Sequence, residues 1–274
     1  MMLQSAYIKH MRACSGELKV QNLDGCSRGE KLAALQELFA LAEECRAKAD
    51  APSDDYGVVL GDKPWREFRG VVGRPLFSQL TAIVRYAPPS EVRELAGDIM
   101  VLLMHPCAVG RVLELYERLS RDVNESPPSR IYKNLGDIGT GGAARALMWL
   151  WGTRWGADMA GALGRCKSSA AQKFLIREAV SHPNSHVRQM CIAYVKLPLT
   201  KAKIDLFIDR LLNGTYNERF TAILKVQELR VGRAAQTLMA MRGDSENTDF
   251  IKFINDTLPV LLGKKPVGAG RKRE

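Results

Sequence analysis

Trp149, Trp151 and Trp155 place three of the chain's four tryptophans within seven residues, with Arg154 among them and Asp158 one turn beyond. An aromatic surface beside a carboxylate can hold an extruded base and act on it, and flanking arginines such as Arg154 and Arg165 suit phosphate. On a helix, positions 149 and 151 lie about 200° apart, so they cannot share a face. At least one must be partly exposed or meet another segment. Exposed tryptophan serves as an interface anchor or a stacking surface for bases, whereas buried tryptophan fills the space between helices.

Other residues invite chemistry and are better explained without it. Gly139 to Ala144 matches the G-x-G-x-x-A pattern, with Asp158 near the spacing of a ribose-binding acid. That fingerprint requires a buried strand just before it, but Ser129 to Leu135 is charged and helix-like. His182 and His186 stand four apart, yet Pro183 and a cap at Asn184 put His182 in a turn and no third ligand is close in sequence, so no metal site is expected. Asp205 and Asp209 share a helix face among Lys201, Lys203 and Arg210, the composition of a solvated charged face.

The elements that must position these residues recur. Leu135 to Leu147 reads as a helix end, a glycine turn and a new helix. Leu163 to Leu175 superposes on it with a shift of 28, and Gln227 to Leu238 does so more loosely. A second marker, Ser185 to Val195, returns 31 residues later as Tyr216 to Val226, and Arg93 in Glu91 to Ala96 opens an earlier copy. A period near 30 built from two amphipathic helices leaves each unit with an apolar face it cannot cover alone, so units must stack. That stacking puts Leu147, Leu175, Phe207 and Leu238 at equivalent core positions. Thr215 with Glu218 has capping-box spacing, and Pro88-Pro89 and Pro127-Pro128 interrupt helical patterns at unit boundaries.

These turns resemble the HEAT-like repeat family in its short bacterial form, with a Leu-Gly-x-x-Gly turn before the next helix. The resemblance is good over about 127–245, weak over 65–126 and absent over 1–64. His182-Pro183-Asn184 fits the family's approach to the Val-Arg pair, whereas Gly214-Thr215-Tyr216 departs from it. It implies an all-α fold with a right-handed α-solenoid over 65–262. A loop near residues 50–64, with acidic residues and glycines, then sets off a helical cap over 1–64, and the glycine-rich, charged stretch 263–274 reads as a disordered basic tail. In such a solenoid the second helices line the concave side, which would set Arg130, Arg154, Arg188 and Arg219 along a groove. The arginine of a Val-Arg pair also commonly bridges to a carboxylate of the neighbouring repeat. The alkylpurine DNA glycosylases of the HEAT-like class are similar in size, basic character and residue kind, which implies an alternative reading with Asp158 and Trp155 as catalytic residues.

Charge separates the two halves. Residues 1–126 hold 16 Lys+Arg against 18 Asp+Glu, while residues 127–262 hold 19 against 11. A basic second half favours an anionic partner. Six cysteines contain no C-x-x-C pair and read as reduced packing residues. No apolar run approaches the roughly 20 residues of a membrane span, and Lys9, His10 and Arg12 interrupt the N-terminal apolar stretch, so a cytoplasmic location is expected. The expected function is non-enzymatic: an adaptor or scaffold that holds an acidic protein or a nucleic acid through Arg130, Arg154, Arg165, Arg188, Arg219, Trp151 and Trp155, without cofactor or metal.

Overall fold

The computed structural model describes residues 22–49, 63–120, 129–151, 156–244 and 247–263. Most of the loop expected near residues 50–64 and the basic tail beyond residue 263 lie outside the described residues. Among those described are fourteen α-helices, one 3-10 turn and no strand. The fold is all-α. The chain divides into two compact units, Met1–Ala146 and Leu147–Glu274.

In the first unit, α1 (Arg28–Ala49) packs on α2 (Lys63–Val72) and α4 (Glu91–Leu102), and α3 (Arg74–Tyr86) packs on both α2 and α4. Helices α5 (Val109–Ser120) and α6 (Ser129–Ile138) continue from α4, each against the one before. Local chemistry sets the boundaries. Gly73, at φ 82°, takes a left-handed conformation that side chains disfavour, and Pro75 then occupies the first turn of α3, where no amide donor is needed. The Ser90 hydroxyl accepts from the Arg93 amide and caps α4, with Glu91 and Glu94 in the first turn where the helix end is positive. Leu76, Phe77, Leu80 and Val84 bury one face of α3, and Phe68, Ile99, Met100 and Leu103 lie in the same unit's interior. Pro88-Pro89 separates α3 from α4, as the sequence predicts; Pro127-Pro128 lies outside the described residues.

A buried arginine is matched by carboxylates that reach it from the surface. Arg111 of α5, only 6% exposed, donates to Asp98 at 2.8 Å and lies 3.4 Å from both Glu94 and Glu114. Gly97 makes room for it: a Cβ there would sit 2.9 Å from the Arg111 side chain. Arg118 extends the network to Glu94 at 2.6 Å.

The turn from α6 to α7 (Gly141–Leu150) has the form read in the sequence. Gly139 takes φ 65° after the end of α6, and the Thr140 hydroxyl accepts from the Ala143 amide. A helix rather than a buried strand precedes this glycine turn, which removes the structural requirement of a dinucleotide fingerprint.

The second unit is made of alternating helices: α8 (Gly156–Arg165), α9 (Ser169–Ser181), α10 (Ser185–Ala193), α11 (Lys201–Asn213), α12 (Tyr216–Glu228), α13 (Ala234–Asp244) and α14 (Thr248–Leu261). The even-numbered helices α8, α10, α12 and α14 pack one on the next, and so do α9, α11 and α13. Consecutive helices pair across these two rows, α9 with α10, α11 with α12 and α13 with α14. The segments that align with a shift of 31 are α10 and α12, which are adjacent. Ser168, Asn184, Thr200 and Asn247 cap helices α9, α10, α11 and α14 through their side chains, and the Glu218 carboxylate reaches back to the Thr215 amide at 3.2 Å. Leu147, Leu175, Phe207 and Leu238 are all fully buried.

Small residues allow the closest approach between helices. A Cβ on Gly164 of α8 would meet Tyr194 Cβ at 2.6 Å, and one on Gly161 would meet the Tyr194 ring at 3.1 Å. The two glycines lie one turn apart and form the seat of Tyr194, the C-cap of α10.

Candidate basic surface of the second unit

Arg188, in the first turn of α10, commits its guanidinium to the unit itself. Its Nε donates to Glu218 at 2.8 Å, and its Nη1 donates to the carbonyls of His182 and Pro183 at 2.7 and 3.0 Å. Glu218 of α12 is 1% exposed and also faces Arg210 at 3.6 Å. A carboxylate in that position needs its cations, because an uncompensated buried charge is costly. Arg219, the next residue of α12, donates to the Leu212 carbonyl at 2.8 Å. Arg188 therefore bridges α10 to α12, the role open to the arginine of a Val-Arg pair. Asp209 belongs to the same corner: it pairs with Arg210 and accepts from Asn213 at 2.8 Å, and these bonds hold its carboxyl below the ordinary range against the opposing effect of burial.

Trp151 is half-buried. Its ring stands edge-on to Phe174 at 5.0 Å and to His182 at 6.2 Å, and its Nε1 donates to Glu178 at 3.2 Å. Arg177 covers the Phe174 ring, 4.7 Å from its centroid, and pairs with Glu178. Trp149 is 66% exposed. The expectation that the two tryptophans face differently thus holds. Arg154, Trp155 and the side chain of Arg130 lie outside the described residues. Asp158 is exposed in the first turn of α8, where a carboxylate favours the positive helix end.

A second group of cations gathers away from Arg188, where α8, α10 and α12 end. Arg165 occupies the last turn of α8, Lys196 follows α10 and Lys225 occupies the last turn of α12. They are electrostatic neighbours. Burial, followed by the charges of Arg165 and Lys225, moves the Lys196 ammonium below its usual range, and Glu228 acts in the opposite direction. Lys225 pairs with Glu228 at 2.7 Å. The Lys203 ammonium donates to the Lys196 and Pro198 carbonyls and tethers the loop that carries Lys196; burial lowers its pKa. The exposed Lys167, Lys201, Arg230 and Arg233 stand in or beside the three loops that leave these helices. Of this edge, only Arg165 stands out in the sequence. The lysines carry no motif, and Lys196 meets Arg165 and Lys225 only because α10 packs on both α8 and α12.

Comparisons of the chain with protein-family models, with curated proteins and with solved structures find no match. Among the described residues no helix is long and apolar enough to cross a membrane.

Proposed function

We propose that residues 147–263 form a HEAT-like α-solenoid that binds an acidic protein or a nucleic acid, with no chemistry of its own. The observation that carries this reading is the gathering of cations where α8, α10 and α12 end: Lys196 is an electrostatic neighbour of Arg165 and Lys225, and the exposed Lys167, Lys201, Arg230 and Arg233 stand in or beside the loops that follow these helices. Like charges held together cost free energy, and an anionic partner would relieve that cost while releasing its counterions. Arg188 and Arg219 act in this reading as structural residues, and Trp149 supplies an exposed aromatic anchor.

The test is fluorescence anisotropy of the full chain with a labelled DNA duplex and, separately, a labelled polyglutamate. Reversing Arg165, Lys196 and Arg230 to Glu should weaken binding and reduce the salt slope on DNA by about one for each phosphate no longer neutralised. Unchanged affinity for both probes in a folded triple variant would refute the proposal.

A further inference from the structure

The first unit carries a wide-open cavity of about 430 Å³, with Arg69, Thr81 and His105 half-buried on its wall and Ser78, Arg85 and Tyr86 exposed at its mouth. That volume is in the range of small-molecule sites, roughly 300–1,000 Å³. Positions 78, 81, 82 and 85 fall on one face of α3 by helical spacing, Arg69 comes from the last turn of α2, and His105 precedes the 3-10 turn Pro106–Ala108. Among the described residues no carboxylate pairs with Arg69 or Arg85. Two arginines thus face one space with no anion from the described residues, unlike Arg111, Arg118 and Arg188.

The remaining groups narrow the chemistry. The Thr81 hydroxyl gives its hydrogen to the Phe77 carbonyl at 3.0 Å, so toward a ligand it can only accept. The Ser78 hydroxyl can donate. His105 Nδ1 accepts from the Cys107 amide at 3.3 Å and lies 3.0 Å from the Cys107 thiol. Burial, with Arg85 adding to it, lowers the imidazole pKa to about 4, so near neutrality the ring is uncharged and carries its proton on Nε2. Burial pushes the Cys107 thiol up to about 11, which leaves this pair without a thiolate nucleophile. Phe77 stacks with Trp65 at 6.1 Å and stands edge-on to His105 at 5.3 Å, while Tyr86 at the rim is 80% exposed. Phe77 is buried by these rings and forms the cavity floor, so the exposed aromatic surface beside the forked cationic donors is that of Tyr86; the space is far larger than a lone phosphate, since a water molecule takes about 30 Å³.

We propose that this cavity binds a small phosphate monoester carrying a planar ring, with the phosphate held by Arg69, Arg85 and Ser78 and the ring resting against Tyr86. The site lies within the first unit and is independent of the binding role proposed for the second.

The probe is phenyl phosphate, titrated into the full chain by calorimetry. Saturable binding is expected, about 10-fold or more tighter than inorganic phosphate, with none for phenol. Arg69→Gln and Arg85→Gln should each weaken phenyl phosphate about 10-fold or more, and Arg85→Lys, which keeps charge without the fork, should fall between Arg85→Gln and the unsubstituted chain. Tyr86→Ala should weaken phenyl phosphate and leave inorganic phosphate unchanged. Arg28→Gln, a surface cation paired with Glu91, is the control and should change neither. In the unsubstituted chain, saturating phenyl phosphate should also move the NMR resonances of the His105 ring, a readout that needs no variant to fold. Absence of saturable binding, or binding that survives both Arg69→Gln and Arg85→Gln with an unmoved His105 resonance, would overturn the proposal.

Discussion

At the scale of single residues, the most consequential side chain of the second unit is Glu218, because its charge is buried and depends on Arg188. Arg188→Met should lower stability by about 3 kcal/mol in a denaturant titration, as removal of one partner strands the other. Adding Glu218→Gln should restore much of that stability; a double variant as weak as the single would show that the bridge is not its source. His105 gives a second test, through pH. Its folded pKa of about 4 lies below the ordinary value of 6.5, so the native state favours the neutral ring. Its contribution is complete above pH 6.5 and is lost as pH falls toward 4. His105→Asn keeps an acceptor for the Cys107 amide without titrating, and should flatten the decline in melting temperature between about pH 6.5 and pH 4.5. The roles of these residues were unequally legible in the sequence. The Val-Arg context of Arg188 suggested a bridge to a neighbouring carboxylate, and Glu218 was visible as a cap; their meeting, 30 positions apart, depends on how α10 lies on α12. Nothing local marked His105, Arg69 or Arg85, since they share a cavity only once α2, α3 and the 3-10 turn are packed.

At the scale of elements, helix ends were the most legible feature, because a cap acts within three or four residues of itself. Asn184, Thr215 with Glu218, and the Gly139 turn all lie where the sequence puts them. Close packing between helices was not legible in the same way. Gly164 reads as part of a turn motif, whereas in the structure its missing Cβ admits Tyr194. Gly164→Ala should therefore destabilise by about 1–3 kcal/mol despite alanine's better helix propensity, and pairing it with Tyr194→Ala should cost less than the sum of the two. A stability gain in the single variant would mean that α10 can move aside. Between α4 and α5, the hydrogen bond from Arg118, helped by the charge of Arg111, draws the Glu94 carboxyl below its ordinary 4.5. The contribution of this network should be full above about pH 4.5 and lost as pH falls through the lowered value; Glu94→Gln should remove that part of the acid sensitivity in thermal melts.

At the scale of the whole molecule, the all-α class was legible from apolar periodicity, and the basic second half from a count of charges. Which cations gather was hidden, because Arg165, Lys196 and Lys225 are separated by about thirty residues each and belong to different helix ends. The order of packing among α8 to α14 carries a further consequence, for kinetics and for how perturbations spread. Every substantial helix pairing there joins elements no more than two places apart in the chain. Closing such short loops costs little entropy, so this region should collapse on the millisecond scale or faster, ahead of any slower event elsewhere in the chain. Perturbations should remain where they are made: among the described residues α8 and α14 share no substantial partner helix, and Gly164→Ala combined with Phe250→Leu should give the sum of the separate effects to within about 0.5 kcal/mol. Such a region can change one helix pair at a time, each substitution judged almost alone.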